Sequence, residues 1–141
     1  MRIEHELFID APVDTVWRLT TDVEAWPEMS KTMTSVRRID EGPLTVGSRA
    51  RVKQPGQRET TWTVTELDPP TTFAWTARVF GVDMVGSHHL AADGAGCRNR
   101  LAVELAGRRG RVLGRLIGGQ IRRSITTENE GFKRHAERAG G

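Results

Sequence analysis

The sequence has one cysteine and no tyrosine among its 141 residues. Because Cys97 has no second cysteine to pair with, an internal disulfide and a thiolate metal cage are both excluded. The lack of tyrosine excludes any mechanism in which a phenol protonates a substrate oxygen. No apolar run approaches the roughly 20 residues that a membrane-spanning helix needs, and the charged start of the chain has no signal core. We therefore expect a cytoplasmic protein without integral membrane segments.

Common catalytic and cofactor-binding motifs are absent too. The chain has no G-x-S-x-G nucleophile elbow, no phosphate-binding G-x-x-x-x-G-K-[ST] loop and no H-E-x-x-H zinc motif. Of its four histidines only His88 and His89 are adjacent, and these two would point to opposite faces of a strand. We expect no metal site and no resident cofactor. The length suits one core, so we expect a single domain over residues 1–141.

Charge is distributed unevenly along the chain. Residues 108–141 hold nine Lys or Arg and three Glu, a formal charge of +6, whereas the whole chain carries +3. No aromatic residue separates the arginines, so single-stranded nucleic-acid binding by base stacking is not indicated. The basic segment is either a solvated outer face or a surface for peripheral contact with an anionic membrane or partner. The sequence leaves both interpretations open.

Period-two patterning and turn residues divide most of the chain into strands. Residues 2–9 form a first predicted strand, and Pro12 favours the start of a short helix after it. A second short helix follows Asp22, and we expect Pro27 to perturb or end that helix. Six more strands are predicted, joined by short turns that suit antiparallel neighbours: 30–39, 47–53, 58–67, 72–80, 82–91 and 97–106.

A long helix is predicted over residues 110–138 from three- and four-residue spacing. Its buried stripe turns polar at Gln120, Ser124 and Glu128, as expected of a helix that faces an enclosed space. Glycine costs roughly 1 kcal/mol relative to alanine inside a helix. Beyond its first residue, Gly110, the predicted helix holds four glycines, Gly114, Gly118, Gly119 and Gly131. Close approach to the sheet, a gate that opens, and tolerated irregularity would each explain these four.

The order of elements predicts an α+β fold, in which a curved antiparallel seven-stranded sheet wraps around the long C-terminal helix. Three segments resemble the polyketide cyclase/dehydrase group of the START/Bet v 1-like (SRPBCC) superfamily. They are Phe8 to Trp17, the turn Asp68-Pro69-Pro70 with its flanking strands, and the hairpin from His88 to Arg98, where Cys97 replaces the usual threonine. The resemblance covers nearly the whole chain.

This resemblance implies a helix-grip fold with a mostly apolar cavity for lipids, sterols, polyketides or other flat hydrophobic molecules. Strand parity indicates which side chains would face that cavity. With the polar residues of the long helix opposite, the predicted ligand-binding residues are Trp62, Val64, Phe73, Trp75, Met84, Gly86, His88, Leu101, Val103, Gln120, Ser124 and Glu128. A wall that is apolar with few polar points is typical of small-molecule pockets.

Two residues are candidates for chemistry. His88 is the best candidate for a general acid or base, because its ordinary pKa lies near neutrality; the alternative is a histidine hydrogen-bonded within the wall. Glu128 would be a carboxylate base if burial raised its pKa, and otherwise a solvated residue. Arg49 and Arg51 would hold a carboxylate or an enolate if they faced inward, but we expect them on the outer face.

Three functions fit these observations. The first is a carrier or sensor of a hydrophobic small molecule of lipid, polyketide or aromatic type. The second is a polyketide aromatase/cyclase or dehydratase that uses the same cavity, since some members of the resembled group cyclise or dehydrate polyketides. The third is an interaction module that uses the basic helix. The sequence leaves both a monomer and a homodimer open.

Overall fold

The predicted α+β architecture is confirmed by a computed structural model, which describes residues 1–140. One antiparallel sheet holds seven strands in the order β1-β7-β6-β5-β4-β3-β2. Its strands are β1 (Arg2–Ile9), β2 (Ser35–Arg38), β3 (Arg49–Lys53), β4 (Thr60–Asp68), β5 (Thr72–Val79), β6 (Val82–Asp93) and β7 (Gly96–Leu105). Its α-helices are α1 (Val13–Thr21), α2 (Trp26–Met29) and α3 (Gly107–Gly140).

The segment between α1 and β2 differs from the prediction. A 3-10 helix over Val23–Ala25 leads directly into α2, and Pro27 lies in the first turn of α2. The helix that follows Asp22 ends at Ala25, just before Pro27, as expected, but Pro27 also lies in the first turn of a further helix, where a missing backbone donor costs nothing. The predicted strand 30–39 shortens to β2, since Ser30 and Thr32 form a turn with their hydroxyl oxygens 2.7 Å apart.

Short turns hold neighbouring strands in register. The β5–β6 turn consists of Phe80 (φ 51°) and Gly81 (φ 72°), two left-handed residues that suit a two-residue hairpin. Between β4 and β5 the register shifts at Val64 and Glu66. Such a bulge bends a strand and increases its twist, which helps the sheet to curve around α3.

The second half of α3 lies against the sheet. Ile125, Phe132 and Ala136 are buried there, and Asn129 ties the helix to two strands. Asn129 Nδ2 donates to the carbonyl oxygens of Asn99 at 3.0 Å and His5 at 3.2 Å, while Asn99 Nδ2 donates to Asn129 Oδ1 at 2.8 Å. This buried amide pair fixes α3 relative to β1 and β7.

The glycines of α3 have different causes. A Cβ added at Gly131 would overlap the backbone carbonyl of Met29, so α3 and α2 approach more closely there than any other residue allows. At Gly119 the nearest such atom is the flexible end of Arg123, 3.7 Å away, and nothing in its surroundings requires glycine. Close approach explains Gly131, whereas no contact explains Gly119.

Candidate functional site: the cavity between the sheet and the long helix

A cavity of about 360 Å³ lies between the concave side of the sheet and α3. Small-molecule sites typically have volumes of about 300–1,000 Å³. Its wall is formed by Trp26, Met33, Val52, Gln54, Gly56, Gln57, Thr60, Trp62, Trp75, Val79, Phe80, Met84, Gly86, Ser87, His88, Leu101, Ala102, Val103, Ile117, Gln120, Ile121, Ser124, Ile125 and Glu128. No lysine or arginine is among these residues.

Two indole rings form one aromatic side of the cavity. Trp62 on β4 and Trp75 on β5 lie 5.6 Å apart between ring centroids. Gly86 on β6 lies beside them, and a Cβ there would lie 3.4 Å from Trp75 Nε1 and 3.6 Å from Trp62 Cζ3. The missing side chain at Gly86 therefore leaves room for both indoles and keeps the adjoining space open.

His88 is held in an aromatic surrounding. Its ring centroid lies 5.1 Å from that of Trp26, 5.7 Å from Phe73 and 5.4 Å from Phe132. The residue is 8 % exposed, and its Nδ1 has no hydrogen-bond partner among residues 1–140. Burial, with a smaller contribution from the neighbouring His89, lowers the pKa of His88 to about 3. The imidazole is therefore neutral at physiological pH, and its Nδ1 is a buried polar atom without a partner.

Glu128 lines the same cavity from α3. It follows Gln120 and Ser124 at four-residue spacing, so the three polar side chains share one helix face. Burial raises the pKa of Glu128 to about 7, and the Thr32 side chain offsets part of that shift. The side chain keeps some accessible surface because it borders the cavity. At neutral pH this carboxyl group is divided between its acid and its carboxylate forms.

The cavity thus contains two titratable groups whose pKa values are shifted in opposite directions by the same cause, which is desolvation. His88 can accept or donate one hydrogen bond as a neutral ring. Glu128 can release or take up a proton near neutral pH. The arrangement can bind an uncharged molecule and can also move a proton on it.

Ten of the twelve residues predicted to bind ligand lie along this cavity. They are Trp62, Trp75, Met84, Gly86, His88, Leu101, Val103, Gln120, Ser124 and Glu128. Val64 and Phe73 do not line it, which corrects their expected place in the wall. Val64 is 2 % exposed and Phe73 is fully buried in the main core, where Phe73 lies behind the rings of Trp75 and His88.

Other cavity residues were missed by strand parity. Trp26 precedes the predicted strands and so was not assigned to the wall, but its ring lies 5.0 Å from that of Trp75 and the residue lines the cavity. The β3–β4 turn at Gln54, Gly56 and Gln57 and the β5–β6 turn at Phe80 also contribute. Parity assigns faces only within a strand, so it carries no information on turns.

The remaining candidates lie outside the cavity. Arg49 and Arg51 are exposed, as expected, and lie near Asp40 (3.3 Å) and Glu59 (4.0 Å). His5 Nδ1 lies 3.0 Å from Asn129 Nδ2, and His89 Nε2 lies 3.0 Å from Ser87 Oγ. No group of three or more His, Cys, Asp or Glu within residues 1–140 is arranged to hold a metal ion.

A curved antiparallel sheet, a long helix across it and a cavity between them define the helix-grip class of fold. The chain belongs to the family described as "Polyketide cyclase / dehydrase and lipid transport", whose sequence profile matches residues 1–137. No curated protein matches the chain significantly. None of the helices within residues 1–140 has the length and hydropathy of a membrane-spanning segment.

Solved structures share the fold at low sequence identity. The Zhui aromatase/cyclase from Streptomyces sp. R1128 is 22 % identical, with a TM-score of 0.79 over 100 % of this chain and 98 % of that one. The protein TTHA0849 from Thermus thermophilus is 18 % identical, with a TM-score of 0.78 over the whole of both chains. Ara h 8.0201 is 13 % identical, with a TM-score of 0.75 over 96 % of this chain and 97 % of that one. At these identities the likeness supports the fold alone.

Proposed function

We propose that this protein binds an uncharged, flat, hydrophobic small molecule in the cavity and acts as its carrier or sensor. The observation that carries this proposal is the 360 Å³ cavity, which is lined by indoles and aliphatic side chains and has the imidazole of His88 in its wall. The few polar side chains in this wall, such as Gln120 and Ser124, can hydrogen-bond to one polar group of a ligand, which avoids the cost of burying that group without a partner. The ligand class is a lipid, a polyketide or an aromatic compound.

The charge of the lining supports an uncharged ligand. No lysine or arginine lines the cavity to neutralise an acidic ligand, and Arg49 and Arg51 lie outside it. An anion would enter a low-dielectric space that already holds Glu128, and the carboxylate would repel it. A ligand with an apolar body and one hydroxyl or carbonyl group fits this surrounding best.

A dye-binding experiment with matched variants tests the proposal. Nile red, a neutral hydrophobic dye, should bind the wild type with enhanced fluorescence and bind Ser124→Phe at least tenfold more weakly, because the new ring occupies the cavity. Thr127→Phe is the control, since Thr127 lies on the same helix but is exposed to solvent. Equal binding by all three proteins would refute a ligand site in the cavity.

A second candidate function is that of a polyketide aromatase/cyclase. It is supported by the family and by the two titratable groups, His88 and Glu128, in one cavity. The Glu128 carboxylate would remove a proton from the carbon between two carbonyls, and that carbon would then bond to a second carbonyl carbon. The oxygen of that second carbonyl would take the proton back from Glu128 and become a hydroxyl group, while His88 donates a hydrogen bond to the enolate oxygen. Glu128 would then remove the remaining proton from the attacking carbon and pass it to this hydroxyl, which leaves as water as a carbon–carbon double bond forms.

Turnover separates the two functions. For an enzyme, a linear poly-β-ketone chain should cyclise faster with the wild type than in buffer, and Glu128→Gln should lose at least 100-fold of that acceleration. His88→Ala should lose turnover while retaining Nile red binding. Dye binding without any acceleration of cyclisation by the wild type would leave the carrier or sensor as the function.

A further inference from the structure

The cavity opens to solvent where three elements meet. Among its lining residues, Gln57 of the β3–β4 turn, Phe80 of the β5–β6 turn and Gln120 of α3 are exposed and mark this opening. The start of α3 lies close to the β5–β6 turn, since a Cβ at Gly81 would lie 3.9 Å from Arg109 Nη1. A molecule that enters or leaves the cavity passes between these elements.

Large apolar side chains are exposed around this opening. Phe80 is 78 % exposed, Leu116 is 77 % exposed and Val112 is 59 % exposed. Val112 and Leu116 are one turn apart on α3, and Leu116 is again one turn from Gln120 at the border of the cavity. Each of these residues is more than half exposed, and holding apolar surface in water is unfavourable.

Arginines surround the apolar side chains. Six lie between residues 108 and 123, and no acidic residue occurs between 107 and 127. Within residues 1–140 none of the six forms a salt bridge. We define the mouth surface as Phe80, Val112, Leu116, Arg108, Arg109, Arg115 and Arg123. Helical spacing places its α3 members on the outer face of α3, away from the buried stripe at Gly114, Gly118 and Ile125.

We infer that the mouth surface docks on an anionic lipid bilayer, with Phe80 and Leu116 inserted among the acyl chains and the arginines on the lipid headgroups. A combination of basic and large apolar side chains on one helix face is what an interfacial helix needs. The four arginines of this surface, which form no salt bridge within residues 1–140, complement the negative surface of such a bilayer. Because the surface borders the cavity opening, an apolar cargo passes between cavity and bilayer without crossing water.

Sedimentation with vesicles tests this inference. The full-length protein should co-sediment with vesicles of phosphatidylcholine and phosphatidylserine, but not with phosphatidylcholine alone, and added salt should release it. Arginine near an anionic surface contributes about fivefold to binding, so Arg109→Gln with Arg115→Gln should weaken binding about 25-fold. Both positions are exposed and outside the cavity lining, so Nile red binding in this variant should be unchanged.

Matched variants distinguish docking at the mouth surface from general charge attraction. Arg134→Gln with Arg138→Gln removes the same charge from the far end of α3, about 29 Å from Arg115 at 1.5 Å per residue, and should bind nearly as the wild type does. Leu116→Gln should weaken vesicle binding, whereas Val46→Gln, which removes an apolar side chain that is 62 % exposed elsewhere, should not.

Two results would overturn the inference. One is an absence of binding to anionic vesicles at low salt, which would leave an acidic protein as the occupant of this surface. The other is equal weakening by the two arginine pairs. Because cargo binding is measured separately with Nile red, failure of membrane docking does not affect the proposal for the cavity.

Discussion

The opposite pKa shifts of Glu128 and His88 predict an unusual dependence of stability on pH. Glu128 has a pKa of about 7 in the folded protein against an ordinary 4.5. Between these values the unfolded chain loses this proton while the folded protein keeps it, so the free energy of unfolding falls as pH rises. The total effect of Glu128 is on the order of 3 kcal/mol, at 1.36 kcal/mol per pKa unit.

The contribution of His88 to the free energy of unfolding changes with pH in the opposite direction. Its pKa is about 3 in the folded protein against an ordinary 6.5, so the unfolded chain binds a proton that the folded protein does not. Its contribution to the free energy of unfolding is complete above pH 6.5 and is lost as pH falls toward 3. Between about pH 4.5 and 6.5 the contribution of Glu128 falls with pH about as steeply as that of His88 rises, so the two cancel in the wild type.

Glu128→Gln removes the contribution of Glu128 to this pH dependence without changing the size of the side chain. The free energy of unfolding of the variant, minus that of the wild type, should increase by on the order of 3 kcal/mol as pH rises from 4 to 8. In urea titrations with an m-value of about 2 kcal/mol/M, this is a midpoint shift of about 1.5 M. The difference between variant and wild type cancels the shared contributions of the other carboxylates. A difference that stays constant with pH would show that Glu128 is hydrated in the folded protein and would refute the enclosed site.

Three further perturbations test how the cavity is held in place. Gly131→Ala should lower the free energy of unfolding by about 1–3 kcal/mol, because the added methyl group overlaps the Met29 carbonyl. Gly119→Ala should raise it by up to about 1 kcal/mol, and urea titration at one pH compares the two variants. Asn129→Ala should cost at least about 2 kcal/mol in the same assay, since it leaves the buried amide of Asn99 without a partner. Nile red at 100 times its Kd should stabilise the wild type by about 2.7 kcal/mol but not Ser124→Phe, as thermal unfolding would show.

Much of the fold could be predicted because its signals are local. Alternation in the strands, turn residues between them and the spacing of α3 each act over a few residues, and the structure confirms the sheet and the long helix. The further helix at Trp26–Met29 was not predicted, since the same proline can end one helix or also begin another according to what packs beside it. That choice depends on burial of Trp26 and Met29 against distant residues.

The cavity was predictable only in part, for a related reason. Parity places Met84, Gly86 and His88 on one face of β6, and that face does border the cavity. Parity does not tell how deep along a strand the empty space extends, so Val64 and Phe73 were assigned to the wall although they fill the core. The shift of register at Val64 is likewise a property of two paired strands.

Native mass spectrometry of freshly purified protein tests the central claim most directly. We predict that the wild type carries a hydrophobic small molecule of discrete mass, which is released on denaturation, and that Thr127→Phe carries it as well while Ser124→Phe does not. A wild type that shows only the mass of its chain, and that binds no added Nile red, would contradict a ligand-binding cavity.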